Sequence, residues 1–237
     1  MHLIFIRHAE PDYAKDNITE NGRKEAVLLA ERVQSWPVDG VFCSPMGRAR
    51  ATAAPILQAL HQEAEIKPWL REFEYYLPVR SDGLKRKAWD LSISEQEKTD
   101  AYFDSADWIN APEILGSDIP IRYSQVCMEF DRLLESYGYI RRGRKYSIRK
   151  DRQITLLFIC HMGVSCVILS HFLGVSPYIL WNGIYMAPSS VTILNSEEQI
   201  PGYVTFRCQT IGDISHLLRA GLHPSGCGYY RHPVFCG

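Results

Sequence analysis

Arg7 and His8 follow the apolar run Leu3 to Ile6, and a second histidine, His161, closes another apolar run from Ile154 to Cys160. Between these two places lie Ser44, Arg48 and Glu72. A neutral imidazole is a competent nucleophile near neutral pH, because its unperturbed pKa lies close to that value. Guanidinium groups and a second histidine bind an oxyanion, and a carboxylic acid can protonate a leaving group. Phosphoryl transfer needs such a set: its catalysis is largely positioning and electrostatic stabilisation of the equatorial oxygens. Each opposite-charge contact at ~4 Å contributes roughly 4 kcal/mol at an effective dielectric of about 20, before desolvation costs. The arginines also disfavour protonation of His8, which keeps its lone pair available.

The elements that must hold these residues are legible in the hydrophobic pattern. Leu3 to Ile6 and Ile154 to Cys160 are continuous rather than alternating, as in strands of a parallel sheet covered on both faces. Val41 to Cys43 reads as a short strand, and residues 64–70, limited by Pro68, as another. Ala26, Leu29, Ala30, Val33 and Trp36 recur at helical spacing after Thr19, a suitable N-cap, and Pro37 ends that helix. Ser44 followed by Pro45 predicts a second helix start, with an alanine-rich run to about Leu60. Tyr123, Val126, Phe130, Leu133 and Tyr137 predict a helix over 121–138, and Gly163 to Leu173 another. Val191 to Leu194 and Tyr203 to Cys208 are β-rich and are expected to pair near a sheet edge. Residues 73–120 are aromatic-rich without periodicity, and read as a cap or lid insertion. Strands alternating with helices predict an α/β three-layer sandwich, with a mostly parallel central sheet flanked by helices. In such sheets ligands bind beyond the carboxyl ends of the strands, where Arg7, His8, Ser44 and His161 all fall.

At these positions the chain resembles the histidine phosphatase superfamily, the phosphoglycerate mutase-like fold. The resemblance rests on Leu3-Ile4-Phe5-Ile6-Arg7-His8-Ala9-Glu10, Ile18-Thr19-Glu20-Asn21-Gly22, and Cys43-Ser44-Pro45-Met46-Gly47-Arg48-Ala49-Arg50-Ala51-Thr52-Ala53. It continues through Trp69-Leu70-Arg71-Glu72 and Phe158-Ile159-Cys160-His161-Met162-Gly163, in the family's order, up to about residue 195. It implies that His8 is the phosphorylated nucleophile and that Arg7, Arg48 and His161 bind the phosphoryl oxygens. Glu72 becomes the proton donor, and Ser44 and Met162 complete the candidate phosphate-binding set. Three departures reshape the pocket rim: Ala9 replaces a glycine, Tyr13 and Ala14 stand where an asparagine is usual, and Met162 replaces a glycine. Mutases of the superfamily carry a Glu-Arg-His-Tyr-Gly stretch where this chain has Glu72-Phe73-Glu74-Tyr75-Tyr76. That favours a phosphatase acting on a small phosphomonoester; a phosphoglycerate-type mutase and a non-catalytic phospho-ligand-binding regulator are the alternatives. Glu74 is a second candidate acid, though the Leu-Arg-Glu match points to Glu72.

Composition narrows the remaining classes. The chain has 237 residues with a net charge of −1, so it lacks the bulk basic footprint of a nucleic-acid binder. The basic run Arg141, Arg142, Arg144, Lys145, Arg149, Lys150 and Arg152 reads as a solvated loop, and Lys85-Arg86-Lys87 as an exposed turn or a steering patch for an anionic substrate. Seven scattered cysteines suit a reduced, cytoplasmic setting, and Cys43, Cys160 and Cys166 read as inert packing residues. The apolar stretch Val164 to Met186 is broken by polar residues, which argues against a membrane span. His223, Cys227, His232 and Cys236 fit no compact zinc spacing, and about 211–237 reads as a loose tail. The chain is thus expected to be a single domain, 1–237, with a small phosphorylated substrate, no nucleic-acid or membrane partner, and neither metal nor organic cofactor. Oligomeric state leaves no mark on the pattern.

Overall fold

The computed structural model describes residues 1–79, 83, 85–150 and 152–228. Its spine is an eight-stranded sheet. In chain order the strands are β1 (His2–Arg7), β2 (Gly40–Cys43), β3 (Ala64–Ile66), β4 (Ile140–Arg142), β5 (Lys145–Ser147), β6 (Thr155–Cys160), β7 (Val191–Ile200) and β8 (Tyr203–Asp213). Across the sheet they run β3-β2-β6-β1-β7-β8-β5-β4. The pairings among β3, β2, β6 and β1 are parallel, and β7 then runs antiparallel to β1. Arg7, Cys43 and Cys160, which precede the candidate residues His8, Ser44 and His161, end strands of the parallel half. The pair β7/β8 forms as expected, but β7 lies against β1 and the β4/β5 hairpin takes the edge.

The principal helices are α1 (Glu20–Val33), α2 (Gly47–Leu60), α3 (Ile119–Ser136), α4 (Met162–Leu173), α5 (Pro177–Gly183) and α6 (Ser215–Arg219). Their placement explains the continuous apolar strands. Leu3 and Phe5 enter one core cluster with Phe130, Val164 and Phe158; Ile4 and Ile6 enter the other with Leu29, Val33, Ala49 and Ile56. Alternate residues of β1 and β6 thus meet opposite helical layers, and from Leu3 to Ile6 and from Leu156 to Ile159 every side chain is apolar. Phe158 stacks between Phe42 and Phe5, with ring centroids at 5.2 and 4.9 Å, which locks β2, β6 and β1 in register.

Thr19 caps α1 as the pattern predicts, its hydroxyl accepting from Gly22 N. The second helix start is corrected. Met46, not Ser44, holds the cap position, and the helix begins at Gly47, two residues after Pro45. The N-terminal hydrogen bond comes instead from a distant carboxylate: Asp16 Oδ2 accepts from Gly47 N at 2.7 Å. The approach is close enough to demand glycine, since a Cβ at residue 47 would lie 2.0 Å from the Asp16 carbonyl oxygen. The strand expected over 64–70 stops at Ile66, and Pro68–Leu70 forms a 3-10 turn.

The basic run is a hairpin rather than a loop, and Arg141 serves the fold. Its guanidinium donates to the carbonyl oxygens of Gly143 and His171 and to the Tyr146 hydroxyl. Lysine and arginine suit an edge hairpin, because charged side chains discourage pairing with another chain. Among the described residues from 73 to 118 the helical structure is one short helix, Ile93–Gln96, and two 3-10 turns, Asp100–Phe103 and Asp107–Asn110. Tyr102 and Trp108 from this segment are fully buried against Tyr178. Residue 211 lies inside β8, and α6 follows it with Leu217 buried, so the chain beyond 211 begins as ordered structure. No helix among the described residues is long and apolar enough to cross a membrane.

Candidate active site

Parallel pairing of β1 with β6 sets Arg7 opposite Cys160, so the next residue of each strand is a histidine. The His8 and His161 rings stand 5.1 Å apart between centroids, inclined at 59°, and both are almost wholly buried. His8 Nδ1 lies 2.8 Å from the Ala9 carbonyl oxygen. A carbonyl can only accept, so Nδ1 carries the proton and Nε2 keeps the lone pair. Burial, then Arg7, pulls the His8 pKa down to about 3, against the opposing pull of the Ala9 carbonyl. His161 is likewise held well below its ordinary value, first by burial and then by His8 and the two arginines. Both rings are therefore neutral at physiological pH.

Arg7 and Arg48 are buried as well. Arg7 donates through Nη1 to the Met186 carbonyl and through Nη2 to that of Cys227, the latter at 3.3 Å. Arg48 Nη1 bonds Asp16 Oδ1 at 2.7 Å, and its guanidinium lies over the Tyr13 ring. The rest of the Arg-Ala-x-x-Thr sequence has a mechanical role. Thr52, one turn after Arg48, donates to the Arg48 carbonyl and accepts from Ala9 N at 2.9 Å, which ties α2 to the residue after His8. Buried Nε atoms of both arginines and Nδ1 of His161 have no hydrogen-bond partner among the described residues. Buried polar groups are almost always satisfied, so three orphans in one cluster mark where a polar ligand belongs.

Glu72 follows the Pro68–Leu70 turn and is partly buried at the cavity wall, with Oε1 accepting from Phe73 N at 2.8 Å and Val164 N at 3.1 Å. Burial raises its pKa, only partly offset by the Phe73 hydrogen bond and the arginines. Glu74 differs: it is half exposed and paired with Lys87 at 3.0 Å. Ser44 is buried, and its hydroxyl lies 2.7 Å from His161 Nε2. Met162 lines the cavity above the cluster.

That cavity has a volume of about 740 Å³ and is bounded by Arg7, Arg48 and Glu72 at one side and by Trp89, Trp181 and Tyr185 at another. Several of its parts were not legible. Asp16, which grips Arg48 and the start of α2, is marked in the sequence only by the need for glycine at 47. Lys87 reaches the cavity wall, whereas Arg86 is tied to Glu95 and Lys85 sits over Tyr76. From the far end of the chain come the Cys227 carbonyl and Gly228, steadied by Tyr185, whose hydroxyl donates to the Ser225 and Cys227 carbonyls. His232 and Cys236 lie outside the described residues, and no metal-binding cluster occurs among those described. Cys43 and Cys160 are pushed up to about 12 by burial, in keeping with inert thiols.

The model of the histidine phosphatase superfamily (branch 1) matches residues 3–117, which contain Arg7, His8, Arg48 and Glu72. Over that segment the chain is similar to the histidine phosphatase superfamily. A protein of Schizosaccharomyces pombe named as a probable phosphatase is 26% identical, over 92% of this chain and 95% of its own. The adenosylcobalamin/alpha-ribazole phosphatase of Salmonella typhimurium is 28% identical, over 77% of this chain and 84% of its own. Among solved structures, phosphoserine phosphatase from Entamoeba histolytica in complex with 3-phosphoglyceric acid superposes with a TM-score of 0.60. It is 15% identical, and the match covers 91% of this chain and 98% of that one. Its fold, a mainly parallel sheet between helical layers, is the one found here.

Proposed function

We propose that this protein is a phosphomonoesterase that works through a covalent phosphohistidine on His8. The observation that carries the reading is the neutral His8 imidazole, its proton fixed on Nδ1, among the three unsatisfied donors of Arg7, Arg48 and His161. Relatives named for alpha-ribazole and phosphoserine support a small phosphorylated substrate.

In the first step the Nε2 lone pair attacks phosphorus, an N–P bond forms and the P–O bond to the alcohol breaks. Glu72, whose pKa is raised by burial, gives a proton to the leaving oxygen. The Ala9 carbonyl, accepting from Nδ1, steadies the positive charge that the ring acquires on phosphorylation. Arg7, Arg48 and His161 hold the equatorial oxygens, where charge is concentrated. In the second step Glu72, now a carboxylate, takes a proton from water, whose oxygen attacks phosphorus. The N–P bond breaks, and His8 and inorganic phosphate are released.

Glu72 is favoured over Glu74 as the acid, because Glu74 is half exposed with its Oε1 engaged by Lys87, whereas burial raises the pKa of Glu72. The test is phosphate release over a panel of phosphomonoesters, with His8→Ala as control. Turnover by the folded wild type, and its absence in the variant, is the expected result. Undiminished release by His8→Ala would end the covalent mechanism.

A further inference from the structure

We infer that Ser44 is a positioning residue that fixes His161 as its Nδ1–H tautomer, the form able to donate to a phosphoryl oxygen. The inference rests on the phosphoryl-binding role proposed for His161.

A serine hydroxyl has one hydrogen to give and two lone pairs. Ser44 Oγ receives the Met46 N–H at 3.3 Å and lies 2.7 Å from His161 Nε2. It is fully buried, with no other hydrogen-bond partner among the described residues. Two arrangements are open to the neutral ring. In one the hydroxyl donates to Nε2, so Nδ1 bears the ring proton. Every polar group is then satisfied except Nδ1–H, which is the buried atom found without a partner.

In the other arrangement Nε2–H donates to Ser44. The hydroxyl hydrogen is then stranded in the interior, and the Nδ1 lone pair is left without a donor. That state buries two unsatisfied groups instead of one, and would present a lone pair to an oxyanion. The cost of an unmade buried hydrogen bond therefore selects the first arrangement. The relay runs from the Met46 backbone N–H through the Ser44 hydroxyl to Nε2, and ends in a single free donor. Its sense is opposite to that at His8, where the Ala9 carbonyl fixes the proton on Nδ1 to leave Nε2 nucleophilic. Neighbouring strands thus present one imidazole as a lone pair and the other as an N–H. Ser44 stands at the head of the Ser-Pro-x-x-Arg motif, at the carboxyl end of β2, one strand away from His161.

The test is long-range proton–nitrogen NMR on histidine-labelled enzyme, with kinetics in parallel. In the wild type, His161 should show a protonated Nδ1 and an unprotonated Nε2, and titration with inorganic phosphate should move the Nδ1 signal most. Ser44→Ala should lose the fixed tautomer and lower kcat by about 10²-fold, the scale set by losing one oxyanion donor. Ser44→Cys, which keeps a weak donor, should recover part of both. A protonated Nε2 in the wild type overturns the inference even if neither variant folds. So does a kcat loss in Ser44→Ala with the His161 tautomer unchanged. If the wild type releases no phosphate from any ester yet shows the Nδ1–H tautomer shifting with phosphate, the catalytic reading fails and the Ser44 relay stands.

Discussion

Gly163 packs so tightly against Trp89 that a β-carbon on the glycine would lie 2.4 Å from Cζ3 of the indole. The same β-carbon would fall 2.6 Å from Glu72 Oε1, so this one position spaces the Glu72 carboxyl from the aromatic wall of the cavity. Gly163→Ala is therefore expected to displace both groups. Overpacking of this kind costs about 1–3 kcal/mol. A modest loss in urea-melt stability should accompany a fall in kcat of at least about tenfold. Activity and stability both equal to wild type would mean that Trp89 and Glu72 can move aside freely.

The two glutamates separate on leaving-group dependence. Glu72→Gln should lower kcat by about 10²–10⁴-fold on alkyl phosphates, the usual worth of a general acid. The loss should shrink on p-nitrophenyl phosphate, whose leaving group departs without a proton. Glu74→Gln should retain activity within about tenfold on both esters. Because burial raises the Glu72 pKa, the wild-type kcat/KM profile should fall on its alkaline side as this proton is lost, and the Glu72→Gln profile should lack that limb. Reversal of the two variants' behaviour would transfer the acid role to Glu74.

His8 links the site to acid stability. Its pKa is lowered from 6.5 to about 3 in the folded chain, chiefly by burial, so the native state holds it neutral while the unfolded chain takes up a proton below about pH 6.5. Stability is full above that pH and is lost as pH falls through the window from about 6.5 to 3. The contribution is roughly 1.4 kcal/mol per pH unit once the unfolded imidazole is charged. Urea melts at pH 7 and pH 5 should show His8→Ala losing less stability than wild type over that interval. An equal or steeper loss in the variant would contradict a neutral buried His8.

Asp16 should matter more to folding than its half-exposed position suggests. Burial works against its ionisation, but hydrogen bonds from Gly47 N and Arg48 outweigh it and hold the pKa below the ordinary value. Asp16→Ala removes the hydrogen bond at the start of α2, for which caps contribute about 0.5–2 kcal/mol, and Asp16→Asn should restore most of it. Thermal melts of the pair read this directly. Equal destabilisation by both substitutions would assign the effect to charge rather than to the cap.

These residues also show where sequence reading succeeds. Leu3 to Ile6 and Ile154 to Cys160 announce buried parallel strands because both faces must be apolar, and the polar residues that end them must then emerge at the sheet's carboxyl edge. Glu72 is legible through its local Leu-Arg-Glu context. Asp16 is not, since its partners lie 31 and 32 residues away and nothing local marks the pairing. Cys227 contributes a backbone carbonyl, which any residue supplies, so side-chain chemistry leaves no trace of it. Ser44 satisfies the rule for a helix cap, and that rule misplaces it because Met46 is extended and α2 begins only at Gly47. The β4/β5 hairpin hides in a basic run because its side chains are chosen for an edge, not for a core.

The position of β1 has a consequence for how the molecule comes together. His2–Arg7 is flanked by Thr155–Cys160 on one side and by Val191–Asn195 on the other, so this strand meets its sheet neighbours only after about 150 further residues have been added. Pairings of such sequence separation carry a large loop-closure entropy and slow the approach to the native state. Until those neighbours exist the apolar run Leu3 to Ile6 has no sheet to cover it, and transiently exposed apolar segments of this kind are where chains aggregate.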